Sequence, residues 1–460
     1  MKVQNLLFVL ISGTCITFSQ WNKALVGTAP NVLNLIRVGD GRNDGVQRVY
    51  VICEDARVYE WTYIGGGNWS RTTVGTLPGS GWCLGIDIGK GRNDGLNRIY
   101  ATQIDGNVYE FFYNGTQWVR TALGNPNSTI YGVFVGPGRN DGINRVYASG
   151  DGVPPVEYFW SGSVWIKDTV ENANLQQWLP YVGQGRNDGV NRLYLPNSMG
   201  SIYTVAEYTW NGSSFVRSDL PPVGGNPLCV VIGPGRNDGI NRVYASSRAK
   251  VYEFAYQGGT WQTVDIVPNY GNEGRYNITL GKTKIDGKNR IYITCSGTQF
   301  LEVSWNGSAW VDTVIDAVSA ATCGVAIGRG RNDDTVRIYG CNRNGEVWEF
   351  THIHPYVGIK EDKESVPLSS SQNIYLYPNP SVSGNTIHYI LKDRTPVKIS
   401  IYAVNGAELI TLVKEMQGPG KYEYFWNGKD KNGHKLSAGV YFLKFTAGEQ
   451  VRTKSLIFCE

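Results

Sequence analysis

Apolar and polar positions along the first 350 or so residues follow one recurring order. A short apolar run closing on Gly, such as Leu84-Gly-Ile-Asp-Ile-Gly89, is followed by a Gly/Asn/Asp turn. A second run, Arg98-Ile-Tyr-Ala-Thr102, leads through a polar turn to a third, Val108-Tyr-Glu-Phe-Phe-Tyr113, and an Asn-Gly or Gly-Gly hairpin introduces a fourth that opens on Trp118. Runs of about five residues rich in Val, Ile, Tyr and Trp, bounded by turn residues and lacking a 3.6-residue period, predict strands and no helices. The most regular stretch is Gly39-Asp-Gly-Arg-Asn-Asp-Gly-Val-Gln-Arg-Val-Tyr50. Its closing Tyr recurs at Tyr100, Tyr147, Tyr194, Tyr244, Tyr292 and Tyr339, at spacings of 47 to 50 residues. Four antiparallel strands in each of seven such periods predict an all-β fold, a seven-bladed β-propeller.

The ends of the repeat predict how the ring closes. The seventh copy stops at its third run, Val347-Trp-Glu-Phe-Thr351, and the missing Trp-initiated run stands at the other end as Trp21-Asn-Lys-Ala-Leu-Val-Gly27. Strand 21–27 is therefore expected to complete the last blade, leaving no open edge between blades. Residues 1–19 read as a secretory signal peptide, with Lys2 ahead of an apolar Leu6 to Ile16 and small residues at Thr17 and Ser19. The expected domains are then a propeller over 20–354, a polar linker over 355–372, and a second domain over 373–460.

A chain of 460 residues with 41% hydrophobic positions has ample material for two packed cores, and its 57 glycines suit a turn-dense chain. A net charge of +4 with no Lys/Arg run excludes a nucleic-acid groove. No later segment reaches the length of apolar sequence that a transmembrane helix needs. Eight Cys are too scattered for a disulfide scaffold; Cys53, Cys83, Cys229, Cys295, Cys323 and Cys341 read as small buried residues, with a Cys323–Cys341 bridge left open. The four histidines and the absence of a Cys-x-x-Cys pair give no zinc site. No cofactor is implied.

Three columns of charged residues repeat with the blades. Asp44, Asp94, Asp141, Asp188, Asp238, Asp286 and Asp333 sit in the turn beside Arg42, Arg92, Arg139, Arg186, Arg236, Lys284 and Arg331. One carboxylate beside a fixed cation is a poor calcium loop, since the ion takes about six to eight oxygens. A second Arg column comprises Arg48, Arg98, Arg145, Arg192, Arg242, Arg290 and Arg337. Counted across the hairpin it faces Tyr63, Tyr113, Trp160, Trp210, Tyr256, Trp305 and His352, predicting guanidinium stacked on a ring. The third column, Glu60, Glu110, Glu157, Glu207, Glu253, Glu302 and Glu349, occupies the middle of each third strand and needs an Arg partner if buried. Seven copies in seven blades read as scaffold, because a catalytic acid is needed once. The sequons at Asn114, Asn211 and Asn306 read as hairpin turns.

Function is sought where the repeat breaks. Irregular connections between blades and between strands two and three open on the face opposite the conserved turn. Trp82, Tyr131, Trp178 and Tyr276 fall within two positions of one repeat register there, at the entry to the innermost strand. Aromatic rings beside Asn, Ser and Gly at a channel mouth suit a sugar or a peptide, and equally suit packing beneath long loops. Asp151, Asp168, Glu171, Glu273 and Arg275 lie outside the columns, but nothing in the sequence brings them to the separation of roughly 5 to 9 Å that a pair of glycosidase carboxylates needs.

After His354 the repeat ends, and strand-length runs such as Thr386–Leu391, Val397–Tyr402 and Gly439–Phe445 predict a small immunoglobulin-like β-sandwich. Tyr377-Pro-Asn-Pro380, Ile401-Tyr-Ala-Val-Asn-Gly406, Trp426-Asn-Gly-Lys-Asp-Lys-Asn-Gly433 and Leu436-Ser-Ala-Gly-Val-Tyr441 resemble the type A C-terminal sorting domain of the type IX secretion system and the related FlgD-like Ig domain. The resemblance implies export across the outer membrane of a didermic bacterium, with secretion machinery as the partner of this domain. The whole then reads as a secreted or cell-surface binding protein, carbohydrate first and protein second, with no assigned catalytic or metal residue. A polysaccharide-active lyase or hydrolase and a purely structural surface component stand as alternatives.

Overall fold

A computed structural model describes residues 21–78, 84–124, 129–200, 202–248, 250–266, 275–284, 286–295, 297–352, 374–377, 379, 381, 384–437 and 439–458. The expected signal peptide and linker lie outside them. The chain divides into two compact units, Met1–His352 and Ile353–Glu460.

The first unit is a ring of seven antiparallel blades. Blade 1 consists of Leu33–Gly39, Arg48–Cys53, Arg57–Gly65 and Asn68–Thr76, in that order from the channel outward. Blades 2, 5 and 6 repeat the arrangement over 86–124, 227–265 and 275–317. Blade 7 takes Thr322–Gly328, Arg337–Asn342 and Glu346–His352 from the end of the repeat and Trp21–Thr28 from its beginning, with Trp21 opposite His352 and Leu25 opposite Trp348. Blades 3 and 4 share one nine-stranded sheet, because Leu175–Gln177 pairs with Arg145–Val153 on one side and Arg192–Met199 on the other.

Each blade is packed around its repeated Tyr, buried in all seven copies. The ring lies over the second Gly of the conserved turn in six blades. A Cβ at Gly41, Gly91, Gly138, Gly185, Gly235 or Gly330 would press into the Tyr hydroxyl, which explains why Gly stands there. Blade 6 has Thr283 instead, and its hydroxyl hydrogen-bonds Tyr292.

The conserved turns form a belt around one face, built from three kinds of bond. Within a blade, the second Arg closes a fork on the Asp four residues before it: Arg48 Nη1 and Nη2 donate to Asp44 at 2.7 Å each. That carboxylate also accepts the Val46 amide, so both its oxygens are engaged within the turn. The buried Glu receives the first Arg. Glu110 accepts from Arg92 Nε at 3.0 Å and Nη2 at 2.5 Å, and from the Tyr100 hydroxyl at 3.1 Å. Between blades, the first Arg lies over a ring of the next blade, as in Arg42 on Tyr113 (4.5 Å), Arg92 on Trp160 (3.8 Å), Arg139 on Trp210 (3.7 Å) and Arg331 on Tyr63 (4.9 Å).

This corrects the expected stacking. Six of the seven rings are the expected ones, with Trp21 under Lys284 in place of His352, but the cation belongs to the other column of the turn and to the preceding blade. Val49 pairs with Trp61, so Arg48 stands opposite Thr62 and bonds its hydroxyl at 3.1 Å. A slip of one residue in counting moves every ring to the other side of the sheet.

The third bond was not anticipated. Asn43 has φ 61°, and from that left-handed position its amide both accepts from the Asn97 N–H (2.6 Å) and donates to the Asn97 carbonyl (3.0 Å). The same exchange links Asn93 to Asn144, Asn140 to Asn191, Asn187 to Asn241 and Asn237 to Asn289. Asn332 reaches Gln47 and so joins blade 7 to blade 1. Blade 6 carries Ile285 at this position, a residue outside the described set.

The second unit is a β-sandwich of a three-stranded sheet (Ile374–Tyr377, Asn385–Leu391, Gly420–Trp426) and a four-stranded one (Glu408–Gln417, Thr395–Ala403, Gly439–Ala447, Gln450–Phe458). Trp426, Tyr389, Ile399, Leu443, Phe445 and Phe458 fill its core. Its motifs have local physical roles. Asn379, from the Tyr-Pro-Asn-Pro stretch, donates to the Ser455 carbonyl and accepts the Ile457 amide, fastening the last strand. Gly428 has φ 73° and no room for a side chain against Phe458, while Asp430 caps the following turn through the Asn432 and His434 amides.

Cys53, Cys229, Cys323 and Cys341 are buried free thiols. A bulge between Thr322 and Val325 holds Cys323 out of direct pairing with the second strand of blade 7. Cys83 and the Cys295 side chain lie outside the described residues.

Glu110→Ala leaves the half-buried Arg92 without its carboxylate and the buried Arg98 with Asp94 alone, so urea denaturation is expected to register a loss of about 3–5 kcal/mol. Asn43→Gly keeps the left-handed backbone and removes both bonds to Asn97; a smaller loss, about 1–3 kcal/mol, is expected. The Arg48 fork holds the Asp44 carboxyl down at about 2, the Arg192 fork does the same for Asp188, and Asp94, Asp141, Asp238 and Asp333 are lowered by their own Arg partners. A depressed carboxyl stabilises the folded form fully above its unfolded pKa of about 4 and ceases to do so as pH falls through the folded value. Thermal melting is therefore expected to change little from these groups above pH ~5 and to fall steeply between pH ~4 and ~2, less so in Asp44→Asn.

Candidate functional site

The face opposite the belt is where the blades differ. Strand Leu175–Gln177 crosses there from blade 3 to blade 4, and the chain continues inward. The Trp178 amide donates to the Pro196 carbonyl of blade 4, and the Leu179 amide donates to the Leu228 carbonyl of blade 5. Ser149 of blade 3 hydrogen-bonds the Trp178 carbonyl. Gly132 permits this close passage, since any Cβ there would strike Trp178, Leu179 and Pro180. Five residues thus staple three blades at the channel mouth.

The staple sets Trp178 against Tyr131. Their rings stack with centroids 4.5 Å apart and planes 21° from parallel, and both are half-buried. The Tyr131 hydroxyl donates to Asp151 at 3.2 Å; burial, then the neighbouring carboxylate, push the phenol up to about 12. The Asn226 amide sits 3.2 Å from Gln176 and 3.3 Å from the Trp178 indole nitrogen. The cluster therefore offers a partly open aromatic platform rimmed by one carboxylate and two amides.

Of the four aromatic residues singled out from the sequence, two meet here. Trp82 and the Tyr276 side chain lie outside the described residues, although Arg275–Gly281 enters blade 6 in the same register. Among the described residues the non-repeated carboxylates do not gather. Asp168 pairs with Arg139 at 2.8 Å on an outer strand, Glu171 takes Arg217 at 3.1 Å and the Tyr208 hydroxyl, and Asp151 belongs to Tyr131. Glu273 and the Arg275 side chain lie outside the described residues. Among the described residues no three His, Cys, Asp or Glu side chains converge as metal ligands. Gln176 and Asn226 are additions from the structure: the short strand that carries Gln176 has no strong strand pattern, and Asn226 lies just ahead of the first strand of blade 5.

The channel itself was also passed over. Two residues before the Gly that closes each first strand, the wall carries Arg37, Asp87, Phe134, Tyr181, Val231, Thr279 and Ala326, a different residue in every blade. A cavity of about 170 Å³ is lined by all of these but Asp87. Arg37 Nε donates to Asp87 at 3.0 Å, and the other Asp87 oxygen accepts the Val135 amide at 2.9 Å. Burial pushes the Asp87 carboxyl up, and Arg37 and that amide oppose the shift.

The comparisons with known proteins bear on both units. PorZ, an essential bacterial surface component of the type-IX secretion system of Porphyromonas gingivalis, is similar in fold across 97% of this chain, with a TM-score of 0.52 and 15% identity. The chain spans about three fifths of PorZ, 61% of its length. The Cps50 (Swd1) β-propeller domain of Myceliophteria thermophila matches 72% of this chain and 99% of its own, with a TM-score of 0.50 and 8% identity. At these identities the likeness extends to the fold alone. No match was found among curated proteins. No helix among the described residues is long and apolar enough to cross a membrane. Residues 375–459 match the secretion system C-terminal sorting domain, the family to which the second unit belongs, and that domain marks the chain for export to the cell surface or beyond.

Proposed function

We propose that the chain is an exported binding protein, with residues 20–354 as the ligand-binding module and 373–460 as the signal read by the secretion machinery. Carbohydrate is the ligand class that the site supports best. The observation that carries this reading is the Tyr131–Trp178 stack beside Asp151, Gln176 and Asn226 at the channel mouth. Aromatic faces accept the C–H side of a sugar while a carboxylate and amides take its hydroxyls, and this mixture of one apolar surface with a few fixed polar groups is what small-molecule sites share. The surface placement in PorZ's own description accords with a ligand outside the cell, and PorZ is similar only in fold.

A protein ligand is the second reading, and one observation favours it. The tips of the belt turns carry Val46, Leu96, Ile143, Val190 and Ile240 on five successive blades, with Leu96, Ile143 and Ile240 exposed by 37%, 40% and 46%. Apolar residues at one height on neighbouring loops suit a protein surface. An enzymatic reading draws no support from Asp151, Asp168 and Glu171, each engaged in a different place.

The test is a glycan-array screen of the purified chain, repeated with Trp178→Ala and Tyr131→Ala. Binding that falls at least tenfold in both variants is expected, with the melting temperature tracked to confirm folding. Glycan binding that survives both substitutions would remove the mouth from consideration, and an array with no positive would remove carbohydrate. Attachment to cells treated with glycosidase or with protease then separates the two ligand classes.

A further inference from the structure

The channel wall breaks the sevenfold rule more completely than any other column. A requirement of the fold recurs around the ring: the buried Glu stands in all seven blades, and the Tyr over Gly and the Asn clasp in six. The channel-facing position instead holds Arg37 and Asp87 once each, beside the rings of Phe134 and Tyr181. Asp87 is 8% exposed, so the pair is largely withdrawn from water. Desolvating two charges is costly, and packed apolar residues generally serve a fold as well or better. The five other blades do without such a pair at this height.

The two partners differ in what they leave available. Both Asp87 oxygens are occupied, one by Arg37 and one by the Val135 amide. Arg37 uses Nε on Asp87 and Nη1 on its neighbour's carbonyl, at Ile36, while its side chain keeps 25% exposure and lines the cavity. The same cavity is lined by Tyr181 of blade 4 and by Cys229 and Val231 of blade 5, so the Arg37 side chain shares it with residues of those blades. The carboxylate orients the cation, and Nη2 has no hydrogen-bond partner among the described residues. Guanidinium in that setting recognises a planar anion, and a carboxylate matches its fork. At roughly 30 Å³ per water molecule, the cavity has room for about five or six waters or a ligand group of similar size.

We propose that the central channel is a carboxylate-binding pocket in which Arg37, held by Asp87, is the recognising cation. The carboxylate arrives either as a free small acid or as the acid group of a sugar; the chemistry at Arg37 is the same. This site is separate from the stacked rings at the mouth and does not depend on them.

Isothermal titration of the full chain at low salt with sodium propionate, sodium galacturonate and neutral galactose tests the proposal. Saturable binding of a carboxylate is expected. It should weaken at least tenfold in the double variant Arg37→Met with Asp87→Leu, which removes the ion pair without leaving a lone buried charge, and persist at reduced strength in Arg37→Lys. The double variant should melt at or above the wild-type temperature. Propionate and galacturonate binding alike identifies a free acid as the natural source, and galacturonate binding alone identifies a sugar acid. Binding of galactose as strong as that of galacturonate, no binding of either acid, or undiminished binding in the double variant overturns the proposal. A clearly lower melting temperature of the double variant also overturns it, by assigning the pair to the scaffold. Failure here with intact Trp178-dependent glycan binding would leave the mouth reading standing.

Discussion

A carboxylate buried at the centre of each third strand is the constraint on which the propeller depends. Glu60 and its six equivalents are almost fully withdrawn from water, so each must hold cations in place. The cation it holds best is the first Arg of the turn, and once pinned there the guanidinium lies against the aromatic ring of the following blade. One ionic requirement inside a sheet therefore becomes an attachment between sheets. The second Arg, gripped by the Asp of the turn, keeps the loop in the shape that points Asn43 and its counterparts at the next loop. Burial, turn geometry and ring closure are one linked set of bonds.

With one face tied by repetition, the other is free to vary. The staple through Leu175–Leu179 draws blades 3, 4 and 5 together, and it is the place where a sheet belonging to two blades replaces two independent ones. The stacked Tyr131 and Trp178 and the channel pair Arg37–Asp87 both occur once, and both lie on or beside the innermost strands, whose backbones are already fixed by the belt. A rigid sevenfold frame thus presents asymmetric side chains at little cost in stability.

Blade number, strand order and the placing of Trp21–Thr28 beside Glu346–His352 were legible because each depends on patterns repeated many times, where local errors average out. The Arg columns were legible as structural, yet their partners were not. Register across a hairpin turns on a single residue, and the sequence does not mark whether Arg48 stands opposite Thr62 or Tyr63. The Asn clasp escaped notice for a different reason: left-handed Asn is expected of any tight turn, and only the neighbouring blade reveals that its amide also serves as a tether. The approach of Tyr131 to Trp178 was foreshadowed by their shared register. The bridging strand that causes it, three residues long, is too short to show a period.

The pairing of Trp21 with His352 has a bearing on how the molecule comes into being. The earliest-made residues of the ring are the last to find their place, because the strand that receives them emerges only after every other blade has been synthesised. Until then the circle stands open and its terminal sheet lacks a border. Closure of the ring, though not the pairing within each earlier blade, is thereby deferred until residue 352 has been made.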